Sequence, residues 1–120
     1  MSFSVVDASD VEPVWGVFRP VRAKLGGSAF GMNQIDFGPD HVGVEHDELE
    51  SKQEEIYVVL SGNGRLEVDG ETVELVPGRY VLVSPDARRR PIAGPEGISM
   101  LCVGGVAGAP YPVGQGLGDE

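Results

Sequence analysis

The chain has 120 residues and 12.7 kDa, room for one domain, and 9 Lys plus Arg against 19 Asp plus Glu leave it a net charge of −10. A chain that acidic lacks the electrostatic footprint for a phosphate backbone or an anionic lipid surface, so neither nucleic acid nor membrane is an expected partner. At 41% hydrophobic and 23% charged residues it can build a core, and its 18 glycines and 9 prolines favour short strands and turns over helices.

Residues 1 to 24 read as an N-terminal arm followed by an edge strand. Asp7, Asp10 and Glu12 precede Pro13 without a sustained period, and the run from Trp15 to Lys24 is interrupted by Gly16 and Pro20. The extended segment 28 to 37 ends in the turn Gly38-Pro39-Asp40. Between Asp47 and Leu60 two periods compete. Glu48 and Lys52 stand four apart and Ser51 with Glu54 resembles a capping box, but Ile56, Val58 and Val59 are β-branched, which favours a strand over 55 to 60. Ser61-Gly62-Asn63-Gly64 then reads as a turn, with a second strand through Leu66 and Val68. Asp69-Gly70, Pro77-Gly78 and Ser84-Pro85-Asp86 punctuate two further strands, 72 to 75 and 79 to 83, and 98 to 103 is the last. The tail from Gly104 holds six Gly and two Pro among 17 residues, so the domain is expected to span 25 to 106, followed by a Gly/Pro-rich tail over 107 to 120. Strands at this spacing describe an all-β sandwich or barrel.

The one cysteine, Cys102, has no partner for an internal disulfide and reads as an apolar filler. The N-terminus lacks the charged start and apolar run of a signal peptide, so a cytoplasmic protein is expected. No stretch is apolar enough over the ~18 residues that a membrane helix needs.

Chemistry concentrates between Asp40 and Glu55, where both histidines, His41 and His46, stand among seven carboxylates with Lys52 as the sole base. In an extended chain His46 and Glu48 face one side and Glu45 and Asp47 the other, while Glu55 shares a face with Tyr57 and Val59. Imidazole and carboxylates converging inside a barrel suit a divalent transition metal. A solvated acidic loop is the plainer reading of the same run.

The order of these residues resembles the cupin superfamily, small double-stranded β-helix (jelly-roll) barrels. Its first motif runs from a glycine, matched by Gly38, through His-x-His to a glutamate and then a glycine after six residues. Glu55 and Gly62 reproduce that last spacing. Its second motif is matched by Gly70, Pro77-Gly78 and Ser84-Pro85-Asp86. The resemblance covers roughly residues 28 to 103. By it, His46 stands at the first ligand histidine, Glu48 at the second and Glu55 at the glutamate, with a longer gap between Glu48 and Glu55 than the family pattern has. The last family histidine falls at Arg88 or Arg89 in the run Arg88-Arg89-Arg90.

Glutamate in place of histidine preserves ligation, whereas a guanidinium has donors and no lone pair. An inward arginine would supply the positive charge from within and bind Glu48 or Glu55 in place of a metal. On that reading the barrel holds a small polar metabolite on Glu48, Tyr57, Arg88, Arg89 and Met100, with no cofactor. His46 and Glu55 are its candidate catalytic groups for proton transfer of the isomerase or lyase kind, because two carboxylates in a dry cavity cannot both ionise cheaply.

Two other readings stand beside it. One is a metal-dependent, dioxygenase-like oxidoreductase in which His46, Glu48 and Glu55, with His41 from the preceding turn, hold Mn, Fe, Ni or Zn. The other is a ligand-sensing module without catalysis. Pairing through an exposed strand at 14 to 19 would make a homodimer.

Overall fold

The structure, a computed structural model, describes residues 2–114. Six strands form one antiparallel sheet that folds round a single core: β1 (Phe18–Arg19), β2 (Gly31–Phe37), β3 (Gln53–Val68), β4 (Glu71–Leu75), β5 (Tyr80–Val83) and β6 (Arg89–Val106). Their order is β1-β2-β6-β3-β4, with β5 on β3. Alternation sets the inner face. Ile35 and Phe37 of β2, Tyr57, Val59 and Leu66 of β3, Leu75, Val83, and Ile98, Met100 and Cys102 of β6 form one buried cluster.

Three expectations change. First, Ser61-Gly62-Asn63-Gly64 is not a turn between two strands, because β3 runs through it without a break and pairs with β6 on either side, with register shifts between Val59 and Ser61 and between Gly62 and Gly64. Glycine is what permits this. Gly62 has φ +75°, and a Cβ on Gly62 or Gly64 would collide with the carbonyl oxygen of Gly97 or Ile92 on β6. Second, the last strand begins at Arg89 and so takes in residues expected to lie in a loop. Third, the segment Trp15 to Lys24 yields only the two-residue strand β1, and a one-turn helix α1 (Val21–Leu25) follows Pro20 and ends at Gly26, φ +83°.

The N-terminal arm is tied down as well. Val11 is buried, and the Arg19 guanidinium donates to the carbonyls of Ala8 and Val11 and to the Asp36 carboxylate. Beyond β6 the chain crosses back over the sheet as far as Gly114. Positions 115 to 120 of the expected tail lie outside the described residues. No helix among the described residues is long and apolar enough to cross a membrane.

Candidate functional site

The sheet encloses a cavity of about 380 Å³, in the size range of small-ligand sites. Its wall joins residues far apart in sequence: Trp15 and Phe18 from the N-terminal segment, β2, the connection 44 to 48, the start of β3, the end of β6, and Tyr111.

The loop from Val42 to Glu48 is held extended by main-chain bonds between His46 and Arg89 and from the Glu48 amide to the Pro85 carbonyl. Extended geometry sorts its side chains. His46 and Glu48 line the cavity, while Asp47 and Glu45 turn outward and meet Arg88 at 3.1 and 3.7 Å. Glu55, at the start of β3, lies on the same inner face as Tyr57. His46 Nε2 stands 3.9 Å from a Glu48 oxygen and 4.0 Å from Glu55 Oε1. Both separations exceed a direct hydrogen bond and can be bridged by one ligand atom or water lying beside the groups. His46 Nδ1 is 3.2 Å from the Val44 carbonyl, an acceptor only, so Nδ1 carries a proton and Nε2 is the nitrogen turned to the carboxylates.

Behind Glu55 is a buried cation. Arg89 is 0% exposed, its Nη2 lies 3.5 Å from Glu55 Oε1, and it donates to the carbonyls of Ala87 and Ser84. Tyr57 donates its hydroxyl to the same Glu55 oxygen at 3.0 Å. Burial, with the charges of Cys102 and Glu55 adding to it, pushes the Tyr57 phenol well up, so it remains a donor. Glu48 is the carboxyl driven toward its protonated form, first by burial and then by the charge of Glu55. Both expected catalytic candidates, His46 and Glu55, line the cavity, and Glu55 is the carboxylate that faces the buried Arg89.

Other expected site residues fall elsewhere. Arg88 is outside, paired with Asp47 and Glu45, because residues 88 to 90 alternate as the chain enters β6: Arg89 turns in and Arg90 turns out to Glu67 at 2.7 Å. Arg89 reaches Glu55 from behind and is not part of the cavity wall. Met100 is fully buried in the core, and Cys102, two residues on along the same face, lines the cavity instead. His41 is exposed in the turn after β2, where its ring lies on Phe37 at 4.3 Å between centroids and does not itself line the cavity. Gln53, Cys102, Tyr111 and Trp15 also line the cavity. The period-two face of Glu55 could have pointed to Gln53, whereas nothing local marks Tyr111 or Trp15.

As a metal site the donors fit poorly. Among the described residues no group of three His, Cys, Asp or Glu is arranged to hold an ion. A dication bound by Glu55 would also share Oε1 with the guanidinium of Arg89 and the hydroxyl of Tyr57.

The fold is a β-barrel with a polar cluster facing inward, and comparison with known proteins gives the family. The Cupin domain family matches residues 36–104, and the chain belongs to it. Among solved structures, a cupin protein from Bacteroides fragilis is 25% identical with a TM-score of 0.75, over 91% of this chain and 88% of that one. The polyketide cyclase RemF from Streptomyces resistomycificus is 21% identical (TM-score 0.70, 84% and 78% covered). A cupin-superfamily sugar phosphate isomerase from Silicibacter pomeroyi is 19% identical (TM-score 0.68, 84% and 74% covered). No curated protein matches the chain.

Proposed function

We propose that the cup binds a small, uncharged polar metabolite and moves a proton on it without a metal, with Arg89 as the fixed positive charge of the site. The observation that carries this reading is the fully buried guanidinium 3.5 Å from Glu55, at the sequence position where the family pattern has its last histidine. Glu48, biased toward its protonated form, is the acid, and His46, whose Nδ1 lies against the Val44 carbonyl, offers Nε2 as the base. Glu55, held by Tyr57 and Arg89, stabilises positive charge that develops on His46 when it takes a proton. A ligand atom in the gap between Nε2 and the two carboxylates would be within reach of all three groups. Known structures with this fold bear names as different as sugar phosphate isomerase and polyketide cyclase, so the fold alone does not choose a reaction, and the choice rests on the side chains.

Two measurements test the reading. Elemental analysis of protein purified without chelator, before and after incubation with Mn, Fe, Ni and Zn salts, is expected to find well under one ion per chain. A stoichiometric ion that disappears in His46→Ala overturns the reading in favour of the metal-dependent one. In parallel, small neutral hydroxy ketones in deuterated buffer are followed by proton NMR. Exchange of the hydrogen next to the carbonyl, abolished in His46→Ala, supports proton transfer. Saturable binding with no exchange makes the cup a sensing module.

A further inference from the structure

Tyr111 belongs to no strand and to none of the family motifs, yet it is a wall of the cavity. Its seat is made by missing side chains. Gly31 of β2 and Gly104 of β6 are cross-strand partners, and Glu55 faces Gly104 from β3. A Cβ on Gly31 would lie 2.6 Å from the Tyr111 hydroxyl oxygen and 2.9 Å from two of its ring carbons. A Cβ on Gly104 would lie 2.6 Å from Gln53 Oε1. The paired glycines thus open a slot in the sheet that the phenol and the Gln53 amide fill, and those two side chains are hydrogen-bonded to each other. Gln53 is buried, and the guanidinium of Arg22, also buried, lies 5.5 Å from the Tyr111 ring centre. Ring, amide and guanidinium therefore dock a segment that has no ladder of its own onto the rim of the cup.

We infer that residues 107 to 114, which follow β6, are part of the ligand site, and that Tyr111 is the size-selecting residue. Seated in the Gly31–Gly104 slot, the phenol closes one side of the mouth and bars ligands bulkier than the cavity beneath. Access through this wall does not depend on whether a proton moves inside. The result can therefore fail or hold independently of the proposed chemistry.

Cys102 is the chain's single cysteine and lies on the cavity wall, so its alkylation reads out passage through the mouth. The experiment compares labelling of the folded 120-residue chain by N-ethylmaleimide and by the bulky, uncharged N-(1-pyrenyl)maleimide, followed by intact mass. Burial, with Glu55 nearby, pushes the Cys102 thiol up, but the ratio of the two rates cancels the thiolate fraction. In Tyr111→Ala, and in Gly31→Ala where the new methyl evicts the ring, the bulky reagent is expected to gain about tenfold or more over the small one. Tyr111→Phe keeps the ring and loses the tie to Gln53, and should gain about threefold. A variant that no longer melts cooperatively reacts with both reagents at the same raised rate, and the Phe variant then decides. A bulky-to-small ratio unchanged from wild type in folded Tyr111→Phe and in either folded alanine variant overturns the inference.

Discussion

Arg89 carries a permanent charge at a position with no solvent exposure, which is tolerable only because a carboxylate and two carbonyls face it. Arg89→Met should therefore strand Glu55 against a dry wall and cost about 2–4 kcal/mol in urea unfolding, the low side of the usual range because Glu55 keeps 14% exposure. Adding Glu55→Gln should recover part of that loss. A double variant no more stable than the single one would show that packing, and not the charge, is what Arg89 supplies. Glu48 makes stability depend on pH. Its pKa is raised on folding, so its contribution to stability is full below the ordinary carboxylate range and is lost as pH rises through the folded value. Glu48→Gln should accordingly gain stability over wild type at neutral pH, by a margin that shrinks toward pH 4, read from unfolding curves at a series of pH values. The facing of His46 and Glu48 was legible from alternation alone. The choice of Arg89 over Arg88 was not, because alternation cannot be applied until one knows that β6 begins at residue 89.

The strands were recognisable where a β-branched run met a turn signal, as in 55 to 60, 72 to 75 and 98 to 103. What misled was glycine. Ser61-Gly62-Asn63-Gly64 has the composition of a hairpin turn, but the close approach of Gly97 and Ile92 on β6 uses the same glycines to let a 16-residue strand change register and bend round the core. Local sequence does not distinguish these uses, since the deciding contact is about thirty residues away. Gly62→Ala should show the difference. It must accept a left-handed backbone and a methyl against a main-chain oxygen, and a loss of roughly 3 kcal/mol or outright failure to fold is expected. Gly70, at φ +83° in the Asp69-Gly70 turn with open space beside it, should lose only about 1 kcal/mol as alanine. Similar losses at the two sites in thermal or urea melts would mean that β3 does not cross β6 as closely as described.

The described segments on either side of the barrel, before β1 and over 107 to 114 after β6, pack on it, and periodicity could reveal neither. The arm before β1 is pinned through Arg19 and brings Trp15 and Phe18 to the cavity, while the segment after β6 brings Tyr111. These are single side chains on irregular backbone, whose position is set by what they dock against and not by a repeat. The charge of the whole chain, in contrast, was plain from composition and bears directly on the ligand. The cavity presents Glu48 and Glu55, the nearby guanidinium groups of Arg89 and Arg22 are buried outside its lining, and the surrounding field is that of a protein at −10. A phosphorylated ligand would enter against this field and meet no exposed guanidinium inside, whereas its uncharged alcohol loses nothing on approach. For a matched alcohol and phosphate ester measured by calorimetry at low ionic strength, the alcohol should bind about tenfold more tightly or better. Raising salt from about 0.02 M to about 0.3 M should strengthen binding of the ester and leave the alcohol unchanged, because screening removes only the repulsion. An ester that binds more tightly than its alcohol at low salt, and weakens as salt is added, would require a cation open to the cavity and would remove the basis for an uncharged ligand.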